Sequence, residues 1–215
     1  GTDFTGSLLV GHSTTGTLNA ALQNTGVGST TLDALTSGDY NTATGAVAGS
    51  AVNSGSQNSF LGWTAGQDVT TGDGNTCIGT GAGKQNVTGG YNTAVGGSAL
   101  AGVSGNSHSL NTAIGQSALT AVTTGDSNVG LGYGAGDNIT SGSGNVVIGK
   151  ADVSSATGDD QLSISDGEDG SVVWMTGDSS AKLTFPGALQ VSGAVTVGVD
   201  DTGLDVKLFG ASAGA

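Results

Sequence analysis

Residues able to support catalysis or metal binding are few in this 215-residue chain, and they are far apart in the sequence. There are two histidines, His12 and His108, one cysteine, Cys77, and 17 acidic residues, of which only Glu168 is a glutamate. Neither histidine has a cysteine or another partner at metal-site spacing, and no nucleophile lies beside a base. We therefore predict that the protein is not an enzyme and has no catalytic residue, metal site or cofactor.

Individual candidates favour structural roles. The aspartates fall at predicted turns, where a carboxylate accepts hydrogen bonds from nearby backbone amides. Cys77 occupies a small-residue position of a repeat, which indicates a buried thiol. Residues 166–170 (DGEDG) lack the spacing and final glutamate of a calcium loop, and glycine stretches such as 79–83 lack the lysine of a phosphate loop. We expect His108 to lie at the tip of a bulge.

Composition and charge exclude several classes of function. The chain has 42 glycines, one proline, four basic residues, no arginine and a formal charge of −13. Nucleic-acid binding needs a basic surface, and an anionic membrane would repel this chain. No apolar stretch approaches the roughly 20 residues that span a bilayer, so we expect no membrane insertion. Abundant glycine and scarce large side chains also disfavour a helical bundle and a wide globular core.

An internal repeat is the main feature of the sequence. A pentapeptide of asparagine, threonine, a small residue, an aliphatic residue and glycine recurs, as in NTCIG at 75–79, NTAVG at 92–96 and NTAIG at 111–115. Seven of the eight spacings between the closing glycines are 17 residues and one is 19, and we place the two extra residues between Gly105 and Leu110. The closing glycines are Gly11, Gly28, Gly45, Gly62, Gly79, Gly96, Gly115, Gly132 and Gly149.

Each 17-residue unit, or rung, offers three apolar or small positions: one residue before the closing glycine, three after it and seven after it. A unit this small buries them only by stacking on its neighbours, with strands about 4.8 Å apart. The sequence therefore predicts an all-β fold, a β-solenoid of about nine rungs and on the order of 40 Å long, over residues 1–157. Residues 158–215 are predicted to form a smaller β region or neck, with 161–165 as a last imperfect rung, and we expect the natural chain to continue beyond it.

One asparagine begins each pentapeptide. Asparagine in such a column either forms turns or builds an inward ladder in which each side chain bonds the copy above it. The candidates for this structural ladder are Asn24, Asn41, Asn58, Asn75, Asn92, Asn111, Asn128 and Asn145.

Both faces of each predicted strand are apolar or small, as in strands buried on both sides. A thin coil has only one interior, so the other face must meet a second chain or stay exposed. We expect an oligomer, and a homotrimer is the simplest rod.

The position after the closing glycine varies from rung to rung, which indicates an outward position. Trp63 and Tyr133 lie there, and their rings could stack on a sugar of a receptor. The alternative is that they pack against a neighbouring rung or chain.

The NTAIGxxAL and NTAxGxGAG units, separated by short turns such as TTG, resemble tail-fibre and related virion proteins of bacteriophages, especially marine ones. They are also similar to the head repeats of trimeric autotransporter adhesins, although those repeats are shorter. Residues 183–215 resemble a stretch that recurs in marine phage fibres. The resemblance implies a homotrimeric, extracellular tail appendage of a virion that contacts other tail proteins and contributes to host attachment through a glycan or protein receptor. It implies no catalytic residues.

Two other functions remain open. The first is a bacterial trimeric surface adhesin head, which a membrane barrel in the full gene would distinguish from a phage fibre. The second is an ice-binding β-solenoid, suggested by a threonine column that lacks the doubled array of such proteins. Its members are Thr25, Thr42, Thr76, Thr93 and Thr112.

Overall fold

The computed structural model describes residues 7–11 and 21–187, and every regular element within these ranges is a β-strand. Twelve strands form one sheet in strict sequence order. The first nine strands have three residues each, and each pairs in parallel with the next, which is the topology of a β-solenoid. They are β1 (Leu8–Val10), β2 (Thr25–Val27), β3 (Thr42–Thr44), β4 (Ser59–Leu61), β5 (Thr76–Ile78), β6 (Thr93–Val95), β7 (Thr112–Ile114), β8 (Val129–Leu131) and β9 (Val146–Ile148).

Strand register follows the sequence repeat. Ile78 pairs with Val95 across 17 residues, and Val95 pairs with Ile114 across the 19-residue rung. Equivalent positions of successive pentapeptides therefore lie directly above one another along the axis. The prediction of an all-β solenoid built from 17-residue rungs is confirmed.

The last three strands close the sheet differently. β10 (Leu162–Ser165) pairs in parallel with β9, so the prediction of a tenth rung at 161–165 is confirmed. β11 (Val173–Gly177) and β12 (Leu183–Thr184) then add as antiparallel strands. The strand-like runs at 188–199 and 205–209 lie outside the described residues.

The interior of the coil is lined by the middle residue of each strand and not by the aliphatic residue that follows it. Cys77 and Ala94 are buried, whereas the side chains of Ile78 and Ile114 are 39% and 40% exposed. Adjacent strand residues face opposite sides, and the interior takes the column that is the smaller one in every strand from β2 to β9 except β4, where Phe60 is buried and Leu61 is exposed. Of the three columns expected to pack together, the two that follow the closing glycine line the core, and the aliphatic column forms a stripe on the outside.

Large core residues lie against small ones of the same rung or of a neighbouring rung. A Cβ atom at Gly66 would overlap the ring of Phe60 in the same rung, and a Cβ at Gly130 would lie 2.8 Å from Cγ of Leu119. Two rungs with alanine at the middle of the strand, Ala94 and Ala113, carry a leucine six residues later in spite of its φ of 51°. In the Ala43 rung this position is Gly49, where a Cβ would lie 2.7 Å from Cδ2 of Phe60 in the next rung. This exchange keeps a thin interior close-packed over many rungs.

The closing glycines are required by backbone contact between rungs. Gly79 has a φ of 129°, and a Cβ there would lie 2.6 Å from the carbonyl oxygen of Gly96. No larger residue fits that approach, which explains why the column is glycine in every rung.

The 19-residue rung accommodates its two extra residues earlier than predicted. Val103, expected in the core, is 52% exposed, whereas Asn106 is buried and forms a parallel bridge with Asn86. The backbone therefore leaves the coil at 103–105 and returns to register at Asn106. The placement of the insertion between Gly105 and Leu110 was wrong, because the sequence spacing alone does not show where the chain bulges.

Candidate functional site

The asparagine column forms a continuous buried ladder through the solenoid. The Oδ1 atom of Asn58 accepts hydrogen bonds from the backbone amide of Asn75 at 2.9 Å and from its Nδ2 at 3.1 Å. The other Nδ2 proton of Asn75 goes to the carbonyl oxygen of Gly89 at 3.1 Å. The same pattern joins Asn24, Asn41, Asn58, Asn75, Asn92, Asn111, Asn128 and Asn145, so each side chain binds neighbouring rungs together.

Other side chains end the ladder. At the first described rung, Oγ of Ser7 accepts a hydrogen bond from the amide of Asn24 at 2.8 Å. At the tenth rung, Gln161 donates to Oδ1 of Asn145 from its backbone and from Nε2, at 2.9 and 3.1 Å. Sequence analysis missed Gln161, although it precedes β10 as each asparagine precedes its strand.

A second ladder lies two residues before the asparagines, and sequence analysis also missed it. The amide of Ser56 donates to Oδ1 of Asp73 at 2.7 Å, and the amide of Asp39 donates to Oγ of Ser56 at 3.0 Å. Aspartate and serine alternate on either side of Gly90, so successive carboxylates lie two rungs, or about 10 Å, apart, except that Asp73 and Asp126 are three rungs apart. Its members are Asp39, Ser56, Asp73, Ser109, Asp126, Ser143 and Asp159, interrupted by Gly90.

His108 lies in the core, and its prediction as a bulge tip was wrong. Its side chain is 1% exposed, and burial lowers the pKa of the imidazole to about 4 against the opposing attraction of Asp126. Nδ1 lies 3.4 Å from Nδ2 of Asn111, and Nε2 has no hydrogen-bond partner within the described ranges. The ring occupies core volume in the rung from which Val103 turns outward.

The remaining reactive groups are engaged in structure. Burial raises the pKa of the Cys77 thiol to about 12, so it is protonated and inert at neutral pH. The Asp166 carboxylate accepts four backbone amides of its own loop, including Val172 at 2.8 Å, and these bonds lower its pKa. It therefore organises the DGEDG turn as an anion.

A cavity of about 380 Å³ lies between the end of the solenoid and the β11 region. Asp137, Asp152 and Asp169 line it together with Lys150. Burial, and then the neighbouring Asp137 carboxylate, raises the pKa of Asp152. Over residues 7–11 and 21–187, no three histidine, cysteine or acidic side chains are grouped so as to hold a metal ion.

The outside of the strands forms an uncharged surface, here called the outer face. Its centre consists of the first and third residues of each strand, such as Thr76 and Ile78. Its leading margin is the residue before each ladder asparagine, and its trailing margin is the residue after each closing glycine. Between residues 23 and 148, every described position of these four columns is uncharged, although the chain carries a formal charge of −13.

The two predicted receptor residues, Trp63 and Tyr133, both lie on the trailing margin and are exposed, Trp63 by 60%. Lys150, the first charged residue of that margin, places Nζ 5.0 Å from the ring centroid of Tyr133. On the leading margin, Tyr91 is 63% exposed while one edge of its ring covers Gly74 in the rung before. The structure does not bring Trp63 and Tyr133 together, since four rungs separate them, and His12 lies outside the described residues.

Comparison with known proteins gives no relative: the chain matches no protein-family model, no curated protein and no solved structure. Over the part of the chain that the structure describes, no helix has the length and apolar character to cross a bilayer.

Proposed function

We propose that this chain is a shaft segment of a homotrimeric phage tail fibre, which projects from the virion and contributes to attachment to the host cell. The observation that carries the proposal is the uncharged outer face on an otherwise acidic rod. On a single copy this face is a contiguous exposed surface with an aliphatic column, and large exposed apolar patches are typical of interaction sites.

Charge distribution favours further copies of this chain as the partner. Each copy carries a formal charge of −13, so copies repel one another wherever their acidic columns meet. The outer face is a long surface of the described solenoid on which this repulsion is absent. It is roughly 20 Å wide and 40 Å long, or on the order of 800 Å² per copy, which is the area per partner of a standard protein interface.

The rod itself fits a spacing role. Rungs stack with one register from β1 to β10, and buried amide ladders join them along the whole axis. Such a shaft holds a receptor-binding tip away from the virion, and it also attaches to other tail proteins at its base. In this proposal the protein is an extracellular tail appendage, it contacts a cell-surface glycan or protein receptor through the assembled fibre, and it has no catalytic role.

The proposal is tested by microscopy and by mass. Antibodies against the purified protein should label tail appendages on virions of the phage that encodes it, and labelling of the capsid alone would refute the function. Multi-angle light scattering should give three times 20.4 kDa, about 61 kDa. A mass near 20 kDa would refute the trimer.

A bacterial surface adhesin head uses the same geometry and is the second candidate. It predicts a membrane barrel at the end of the full gene product and display of the protein on bacterial cells, whereas a phage fibre predicts a virion-anchoring region at the start. Sequencing both flanks of the coding region separates the two.

An ice-binding function is the third candidate, because the threonine column faces outward. Thr76, Thr93 and Thr112 lie in register on the outer face, beside an aliphatic column and not a second threonine column. Thermal hysteresis at millimolar protein concentration tests this function, and zero activity would exclude it.

A further inference from the structure

The margins of the outer face carry its aromatic side chains in a pattern that the repeat does not require. In the described rungs between residues 21 and 150, no rung has an aromatic residue on both margins. In each rung with an aromatic residue on one margin, the residue on the opposite margin is not aromatic. In three of these four rungs the opposite residue is small. The pairs are Tyr40 with Ala46, Trp63 with Gln57, Tyr91 with Gly97 and Tyr133 with Ser127.

The width of the face sets how copies can surround an axis. Six residue steps separate the two margins of a rung, a distance of roughly 20 Å along an extended chain. Three faces of this width, arranged as a triangle around an axis parallel to the solenoids, each lie about 6 Å from that axis. Packed sheets are about 10 Å apart, so one layer of side chains needs about 5 Å. The central threonine and aliphatic columns of three copies therefore fill the space.

In this arrangement the leading margin of each copy meets the trailing margin of its neighbour. A rotation axis adds no translation, so the two margins meet at the same rung. The aromatic side chains then face the neighbour's smaller side chains. Sliding a neighbour by one rung in one direction would instead place Tyr40 against Trp63.

We propose that each margin aromatic packs against the smaller margin residue of the same rung in the neighbouring copy, so that three chains assemble parallel and in register. Tyr91 covers the neighbour's Gly97, and Trp63 covers the neighbour's Gln57. Trp63 and Tyr133 are then interface residues, and the receptor lies elsewhere on the fibre. The inference rests on the trimer of the proposed function and deepens it by naming the contacts that hold it together.

Paired cysteines test the arrangement. In the double variant Tyr91→Cys and Gly97→Cys, the two thiols of one chain are roughly 20 Å apart, far beyond the 7 Å limit between Cα atoms for a disulfide. A Cβ at Gly97 has open space, with Cγ of Gln116 at 4.0 Å as its nearest neighbour. Buried Cys77 stays unreactive.

Mild oxidation of the double variant should give a covalent trimer near 61 kDa on a non-reducing gel, whereas either single variant should stay at 20.4 kDa. The matched control is Tyr91→Cys with Thr80→Cys, which pairs the same leading residue with the trailing margin one rung away. We expect little crosslinking there.

Crosslinking of the control in place of the double variant would overturn the same-rung pairing, and a covalent dimer would overturn the threefold axis. Light scattering on the unmodified chain separates these outcomes from a monomer, which would refute the assembly as a whole. Immunolabelling of virions reports on the phage function independently, so a failed crosslink on a labelled tail fibre counts only against the contacts named here.

Discussion

Replacing His108 should remove a specific part of the acid sensitivity of the solenoid. Burial lowers the pKa of this imidazole from its usual 6.5 to about 4, so the folded state favours the neutral ring. Below pH 6.5 the unfolded chain takes up the proton first, and stability falls as the pH drops towards 4. A difference of 2.5 pH units corresponds to about 3 kcal/mol of lost stability at pH 4 and below, with no loss from this group above pH 7.

Urea unfolding followed by circular dichroism at pH 7.0, 5.5 and 4.0 measures this effect in the intact chain. Between pH 7 and 4, the free energy of unfolding should fall by about 3 kcal/mol less in His108→Leu and His108→Gln than in the original protein. Gln57→Ala, which changes an exposed residue without an ionisable group, is the control and should keep the original pH dependence. Hydrogen exchange should place the acid-induced opening in the rung at 97–115.

Equal loss of stability with acid in His108→Gln and the original protein would refute the reasoning. It would mean that the imidazole is already solvated or paired in the folded state. The aspartates add their own acid sensitivity below about pH 5, but that part is common to all the variants and cancels in the comparison.

Three other experiments test the interior. Asn75→Leu should cost at least 2 kcal/mol, because it leaves the buried backbone amide of Asn92 without its acceptor and removes the side-chain hydrogen bonds to Asn58 and Gly89. The exposed substitution Gln57→Ala should cost less than about 0.5 kcal/mol, and chemical denaturation compares the two variants. Phe60→Ala should lower the free energy of unfolding by about 3–5 kcal/mol, because it opens a cavity. Adding Gly66→Leu should restore part of this stability, because two other rungs pair alanine with leucine at these positions. A double variant no more stable than Phe60→Ala would contradict the volume exchange. Cys77 should resist alkylation at pH 8 until the protein is unfolded, and labelling of the native protein in minutes would show that the core is open.

The period of the repeat was sufficient to predict the fold. The pentapeptides and their glycines set the register of every strand from β1 to β9, because a 17-residue repeat that cannot bury its own apolar groups must stack. The same logic identified the asparagine column, and it placed Trp63 and Tyr133 on the outside.

The sequence did not determine which side of each strand faces inward. Hydrophobicity ranks Ile78 above Cys77 as a core residue, yet Cys77 is buried and Ile78 lies on the outside, because another aliphatic column, which includes Val69, already occupies the interior. Val103 was expected in the core and is exposed, whereas His108 was expected on the outside and is buried. An insertion of two residues shifts which side chain reaches the core, and only the three-dimensional path of the chain reveals that shift.

The alternation of aspartate and serine in the second ladder constrains how the rod can change length. Losing the rung that carries Ser56 would bring the carboxylates of Asp39 and Asp73 to about 5 Å, where their repulsion is on the order of 1 kcal/mol even in water. Losing two adjacent rungs within either alternating stretch, Asp39 to Asp73 or Ser109 to Asp159, brings no carboxylates together. Within these stretches, duplications and deletions in the gene should therefore survive preferentially in steps of two rungs, each altering the reach of the rod by about 10 Å.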